Sequence, residues 1–183
     1  KALARNCVEK HLWEQAYAIY SRLGDDDSIL KLIYEAAPFL INSGKLITLS
    51  NWFDQVPGEK LQTAPELISI QATILLVRGD VAASIKLLDR AIEGLKKSHK
   101  EGDLGRSLNR RSIANNHLGN YVESLQDADE AITLTENKPG LESIRAEAFR
   151  MRGLSLFQQG DLLGSLDALN NSRYLFESFG NKE

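Results

Sequence analysis

A short signature recurs along this chain at a nearly constant interval, and it limits the fold more than any other feature. Gly79-Asp80-Val81, Gly119-Asn120-Tyr121 and Gly160-Asp161-Leu162 each join a glycine to a residue that can cap a helix. A serine follows three residues later in every copy, at Ser84, Ser124 and Ser165. The spacings are 40 residues (79 to 119) and 41 residues (119 to 160). Two weaker copies lie upstream, Gly44-Lys45-Leu46 and His11-Leu12-Trp13, the latter with Ala16 at the serine position. A glycine after a helix can turn the chain left-handed without a Cβ clash. Asp or Asn beside it caps the first N–H groups of the next helix. The signature is therefore a helix–turn–helix joint, too short for anything but antiparallel neighbours.

The flanking segments have helical periodicity. After Gly79 the apolar residues Val81, Ile85, Leu88, Ile92 and Leu95 fall three or four apart, one stripe of a helix. The same holds for Tyr121, Leu125, Ala128 and Ile132, and for Leu162, Leu166, Leu169 and Phe176, a stripe that Arg173 interrupts. Ten helices are predicted, over 2–10, 13–23, 26–43, 45–55, 65–78, 80–97, 103–118, 120–136, 140–159 and 161–178. Seven residues before each joint stands a small side chain: Ala4, Ala37, Ala72, Ser112 and Gly153. Small residues there let paired helices approach closely. Pro57 and Pro65 punctuate helix ends. Pro38 falls inside the third helix and should kink or split it, since no donor reaches the Tyr34 carbonyl. The expected fold is all-α, a right-handed superhelix of about five antiparallel helix pairs. Residues 1–183 are expected to form one helical-repeat domain, and the start at Lys1 rather than Met leads to the expectation that it is a fragment of a longer chain.

Composition removes several function classes. The 22 basic residues are outnumbered by 25 acidic ones, against wholesale nucleic-acid binding. No apolar run approaches a membrane span of ~18 residues, so no membrane partner is expected. The lone Cys7 forms no internal disulfide and sits on the inner face of its helix as a small apolar residue. A cytoplasmic location is expected. His11, His99 and His117 have no metal-ligand spacing. Asp25-Asp26-Asp27 fails as a calcium loop, because Leu30 and Ala36 stand where glycine and an acid are needed. There is no phosphate-binding loop and no nucleophile elbow. Catalysis, a metal and a cofactor are not expected in these residues. Trp13 and Trp52 are expected as packing anchors.

Paired helices with a turn glycine and small residues at fixed offsets resemble tetratricopeptide repeats, although 40 and 41 exceed the usual ~34 residues. A narrower resemblance covers 13–91: Trp13-Glu14-Gln15-Ala16, Gly24-Asp25, Gly44-Lys45-Leu46, Leu49-Ser50-Asn51-Trp52-Phe53-Asp54-Gln55-Val56-Pro57, Pro65-Glu66-Leu67 and Gly79-Asp80 with Ala91. This passage is similar to the superhelical sensor region of MalT-like activators, ATP-dependent regulators of the LuxR family. Residues 92–183 resemble tetratricopeptide pairs more generally. The chain departs from the pattern at His11, in place of a turn glycine, and at Lys45, in place of a cap. The resemblance implies a sensor that binds an effector or regulatory protein, with ATP and DNA handled by modules outside these residues. A general tetratricopeptide scaffold for protein–protein interaction is the alternative.

The first helix of each pair should line the concave face. Residues set there by their offset from a joint include Lys31, Tyr34 and Asn42, then Arg106, Asn109, Arg110, Asn116 and His117, then Glu147, Arg150, Phe157 and Gln158. Asn109, Arg110, Asn116, His117 and Arg150 are the candidate effector site, suited to a small ligand bearing hydroxyls or a negative charge. The bland alternative is a solvated helix face. Asn115 stands at the offset of Leu75 and Leu156 and needs a hydrogen-bond partner or a wet cleft. The basic stretch from Lys96 to Arg111 precedes an acidic helix carrying Glu123, Asp127, Asp129 and Glu130, a pattern that can stabilise their packing.

Overall fold

Backbone capping sets the architecture. The computed structural model describes residues 1–180, with side chains to residue 178. The described residues form eleven helices and no strand: α1 (Ala2–Glu9), α2 (Trp13–Arg22), α3 (Asp26–Asn42), α4 (Leu46–Gln55), α5 (Gly58–Gln62), α6 (Pro65–Val77), α7 (Val81–Ser98), α8 (Glu101–His117), α9 (Tyr121–Thr135), α10 (Glu142–Gln158) and α11 (Leu162–Gly180). All ten predicted helices are present, with ends within two residues of those read from periodicity. The unforeseen element is α5, a short helix after Pro57.

The joints share one geometry. The N–H of Leu12, Lys45, Asp80, Asn120 and Asp161 each reaches back five residues, to the carbonyls of Cys7, Leu40, Leu75, Asn115 and Leu156, at 2.8–3.0 Å. The preceding residue bonds three back in each case, as Gly119 does to Asn116 at 3.1 Å. This pair of bonds satisfies the orphan carbonyls at a helix end and needs a left-handed residue. Gly119 supplies it with φ of 79°, and His11 adopts the same region at 55°. The departure at His11 therefore leaves the turn unchanged.

The two small-residue rules turn out to be one contact. Ser84 donates to the Ala72 carbonyl, and Ser124 to the Ser112 carbonyl, both at 2.8 Å. At these two joints the serine thus meets the small residue before the turn, across a seam too close for a large side chain. At Gly153 a Cβ would lie 2.7 Å from Leu169 Cγ.

Bulk apolar packing is concentrated toward the N-terminus. Trp13, Tyr20, Leu32, Ile33, Leu40, Leu49, Trp52 and Phe53 belong to one buried cluster with Cys7. Both tryptophans are anchors, each 5% exposed. Pro38 does not split its helix: α3 runs unbroken from Asp26 to Asn42. Ala36, Ala37 and Leu40 around it are fully packed, and that burial holds the last turn despite the missing donor.

Candidate functional site

The first helices of successive pairs place matching residues on one face. Ten residues before a joint stand Tyr34, Ser69, Asn109 and Arg150; three residues earlier stand Lys31, Glu66, Arg106 and Glu147. Along this face lie three hollows with shared walls. The first lies between α1, α2 and α3, lined in part by Arg5, Glu9, Lys31 and Glu35. Glu35 also borders the second, a 340 Å³ cavity between α3, α6 and α8. Arg106 and Arg110 separate the second from a third, between α8 and α10, which Asn109, Ile113, Ser143, Ile144 and Glu147 complete.

Most charges around the central hollow are matched. Arg106 pairs with Asp103 at 3.0 Å, and Lys100 with Glu66 at 2.9 Å. The Tyr34 hydroxyl donates to Asp103 at 2.9 Å. Burial and the Asp103 carboxylate push the Tyr34 phenol upward, so it remains a donor near neutral pH. Arg110 is different. Its Nη1 donates to Ser69 Oγ at 2.8 Å, and that oxygen also accepts from Ser107 at 2.8 Å. No carboxylate lies within 4.0 Å of Arg110 among the described residues, so it forms no ion pair there. Burial, with Arg106 nearby, pushes its pKa down to about 10. It remains a cation at neutral pH, half-buried in the wall that the second and third hollows share. Glu66 Oε2 and Asn109 Oδ1 are also buried without a hydrogen-bond partner among the described residues.

The candidate effector residues divide among separate settings. Asn109 and Arg110 line the third hollow together. Asn109 Nδ2 donates to the Ile144 carbonyl at 2.8 Å, tying α8 to α10. Arg150 faces its own neighbour, with Nε 2.9 Å from Glu147 Oε2, and this pairing raises the Arg150 pKa. Asn116 lies further along, its Nδ2 3.4 Å from Ser155 Oγ. His117 is exposed at the end of α8 and borders none of the three hollows. Sequence reasoning missed Ser69, Glu66, Asp103 and Ser107. Ser69 and Glu66 could have been found, since they stand at the offsets of Asn109 and Arg106 in the preceding pair.

The neighbouring seam explains the other polar residues. Arg111 binds Asp127 through two nitrogens, at 3.0 and 2.6 Å, and reaches Asp89 at 2.7 Å. Those carboxylates raise the Arg111 pKa, while burial pulls the Asp127 carboxyl upward against the arginine. Asn115 lies beside the Asp127 carboxylate and helps to hold its pKa down against burial, a polar neighbour of the kind its position demanded. Lys96 meets Glu130 at 2.7 Å, so the basic and acidic stretches do face each other.

The described residues contain no group of three or more His, Cys, Asp or Glu side chains able to hold a metal. No helix among them is long and apolar enough to cross a membrane. No protein-family model matches the sequence, and no curated protein matches it either. Solved structures do. The chain is similar to BtubC (BKLC) from P. vanneervenii, with TM-score 0.75 and 12% identity, over 97% of this chain and 78% of that one. It is similar to a Podosopora anserina putative kinesin light chain of nearly identical TPR-like repeats, with TM-score 0.66 and 16% identity, over 98% and 94%. MamA MSR-1 C2 matches with TM-score 0.61 and 13% identity, over 97% and 94%. At these identities the likeness establishes the fold, an all-helical array of TPR-like repeats.

Proposed function

We propose that this chain is a non-catalytic protein-binding scaffold in which a segment of a partner lies along the face of the first helices. The observation that carries this reading is the row of three hollows with shared walls, crossing α1, α3, α6, α8 and α10. A stacked helix array presents such a face as a continuous surface, and an extended segment gains contacts from each pair it crosses. The TPR-like structural neighbours support the same role. Random peptides displayed against the immobilised chain provide the test, with affinities of selected peptides measured by calorimetry. Ser143→Trp fills the third hollow and should weaken selected peptides about tenfold, or ~1.4 kcal/mol. No selected peptide, or equal affinity for the variant, rejects the scaffold reading.

A narrower reading is the sensor of a MalT-like regulator, and the size of the central hollow favours it. Small-molecule sites occupy roughly 300–1,000 Å³, and this one measures 340 Å³. In that reading Arg110 serves a hydroxyl- or anion-bearing effector in the central hollow and Asn109 borders the adjoining one, while Asn116, His117 and Arg150 lie outside both; the protein acts in the cytoplasm, and modules elsewhere in it handle ATP and DNA. A thermal-melt panel of sugars, nucleotides and organic acids tests it. A ligand at 100 times its Kd stabilises by ~2.7 kcal/mol, and unchanged melts across the panel reject the sensor.

A further inference from the structure

A charge contact recurs between successive pairs, and α11 departs from it. Arg111 of α8 reaches back to Asp89 of α7 at 2.7 Å, and Arg152 of α10 reaches back to Asp129 of α9 at 2.9 Å. Asp89 and Asp129 each stand ten residues after a joint glycine, where α11 has Asn170. Three residues further on stand Ile92 and Ile132, where α11 has Arg173. Ile92 and Ile132 pack with Leu104, Leu108 and Ala148 of the helices that follow them. Ile92 is 4% exposed, whereas the Arg173 side chain is 71% exposed. A further pair stacked in this register would find no aspartate for its arginine. It would also bury a guanidinium where Ile92 lies, at a high desolvation cost. The outward face of α11 therefore suits a different partner.

We propose that this partner is a second copy of the chain, packed α11 against α11, antiparallel, about a two-fold axis at Asn170. Ser165, Ala168 and Ser172 bury the inner side of α11. Opposite them, at helical spacing, run Leu163, Leu166, Asp167, Asn170, Arg173 and Tyr174, all exposed. Leu163 and Tyr174 are 83% and 70% exposed, and Leu166 is 59% exposed. The face is self-complementary about its centre. Asp167 lies three residues before Asn170 and Arg173 three after; Leu166 lies four before and Tyr174 four after. A two-fold contact sets each residue against its mirror position in the other copy. Asp167 then meets Arg173 twice, in a charge-assisted contact, and Leu166 packs on Tyr174 twice. Asn170 meets its own copy, and such a central amide pair fixes register. Within one chain these charges have weak partners. Arg173 Nε lies 4.0 Å from Glu177, and the Asp167 carboxylate accepts only from the Asn171 amide, at 3.3 Å, among the described residues.

Sedimentation equilibrium of the chain, at concentrations from about 1 µM to about 1 mM, tests the dimer. A reversible dimer with a Kd of about 10–100 µM is expected, as suits an interface at the small end of the specific range. Leu166→Glu should weaken it about tenfold or more. Asp167→Arg and Arg173→Asp each set like charges face to face twice and should weaken it as much. All three positions are exposed, so circular dichroism should show the helices intact. Mixed together, the Asp167→Arg and Arg173→Asp chains should associate to within about threefold of the parent, because every facing pair is again of opposite sign. Glu123→Arg carries the same charge change on α9 and, mixed with Arg173→Asp, should restore less. Asn170→Cys, at the axis, should oxidise to a linked dimer, whereas the parent, with only the buried Cys7, should not. A parent that stays monomeric, a dimer that survives all three substitutions, no recovery on mixing, or equal recovery with Glu123→Arg overturns the proposal.

Discussion

The helices up to α6 and those from α7 onward make the same joint with different fillings. The N-terminal region fills its interior by volume. Trp13, Leu32, Ile33, Leu40, Leu49, Trp52 and Phe53 pack together, and the rings of Tyr17 and Trp52 stack at 4.5 Å. The C-terminal region adds small residues and buried hydroxyls to an aliphatic core that includes Leu88, Leu95 and Leu108. Of the buried polar residues, only Ser50 and Ser69 precede Ser84. Ser124 ties three helices together, bonding the Ser112 carbonyl of α8 and Ser155 Oγ of α10, both at 2.8 Å. Caps and turns specify the helix pair, and the seam tolerates either solution. The choice has consequences. A volume-filled seam loses stability through cavities, whereas a hydroxyl seam depends on directional bonds whose loss leaves buried groups unpaired. The polar seam is also the region beside the candidate site, where Asn109, Arg110 and Ser107 share α8 with Ser112 and Asn115.

The most severe way to break the contrast is Trp52→Ala. Trp-to-Ala changes in cores cost about 3–5 kcal/mol, and this one also strips Tyr17 of its stacked ring. Each pair in an array touches only its neighbours, so the damage should remain local. Hydrogen exchange should show lost protection in α2 to α4 and retained protection in α8 to α10. A uniform loss along the chain would mean that the two regions fold as one unit. The second test is Ser124→Ala, expected to cost ~1–2 kcal/mol by leaving a buried partner unsatisfied. Chemical denaturation measures it. A variant as stable as the parent would make the hydroxyl seam mere filling.

The joints were legible because they are local. A glycine, a cap and a small residue seven positions earlier locate three turns, the weaker copies at His11 and Gly44 extend the series to five, and all ten expected helices follow. His11 obeys the turn geometry although its sequence does not advertise it, since histidine enters the left-handed region more readily than most residues. The contact between Ser84 and the Ala72 carbonyl was encoded as two separate regularities, and only the packing joins them. The site was less legible. Helical offsets put Tyr34, Arg106 and Asn109 on one face, but they do not tell which charges are already paired. Arg150 looked available from its offset, yet Glu147 three residues earlier occupies it. Arg110 stands out only after Asp103 is assigned to Arg106 and Glu66 to Lys100, a fact of three-dimensional pairing. The short α5 escaped because a five-residue helix has too few positions to show a period.

The smallest effect tests whether charge follows the same division. Lys45 stands where a capping residue is missing and instead reaches Glu14 at 2.8 Å, linking the second joint to α2. That contact holds the Glu14 carboxyl below its usual range. With the folded pKa below the unfolded value near ~4.3, the contribution is present above that pH and is lost as pH falls through the folded pKa. Both side chains are about half exposed, at 45% and 51%, which limits the pair to ~0.5 kcal/mol or less. Lys45→Met should therefore lower stability slightly at pH 6, and the gap from the parent should close on acidification and in high salt. The Arg111–Asp127 pair in the other region, with the aspartate side chain 6% exposed, is shielded from counterions by burial. Its double-mutant coupling energy should change little over the same salt range. Equal salt sensitivity of the two pairs would show that the buried ionic seam is as open to solvent as the surface contact, and would remove charge from the contrast between the two regions.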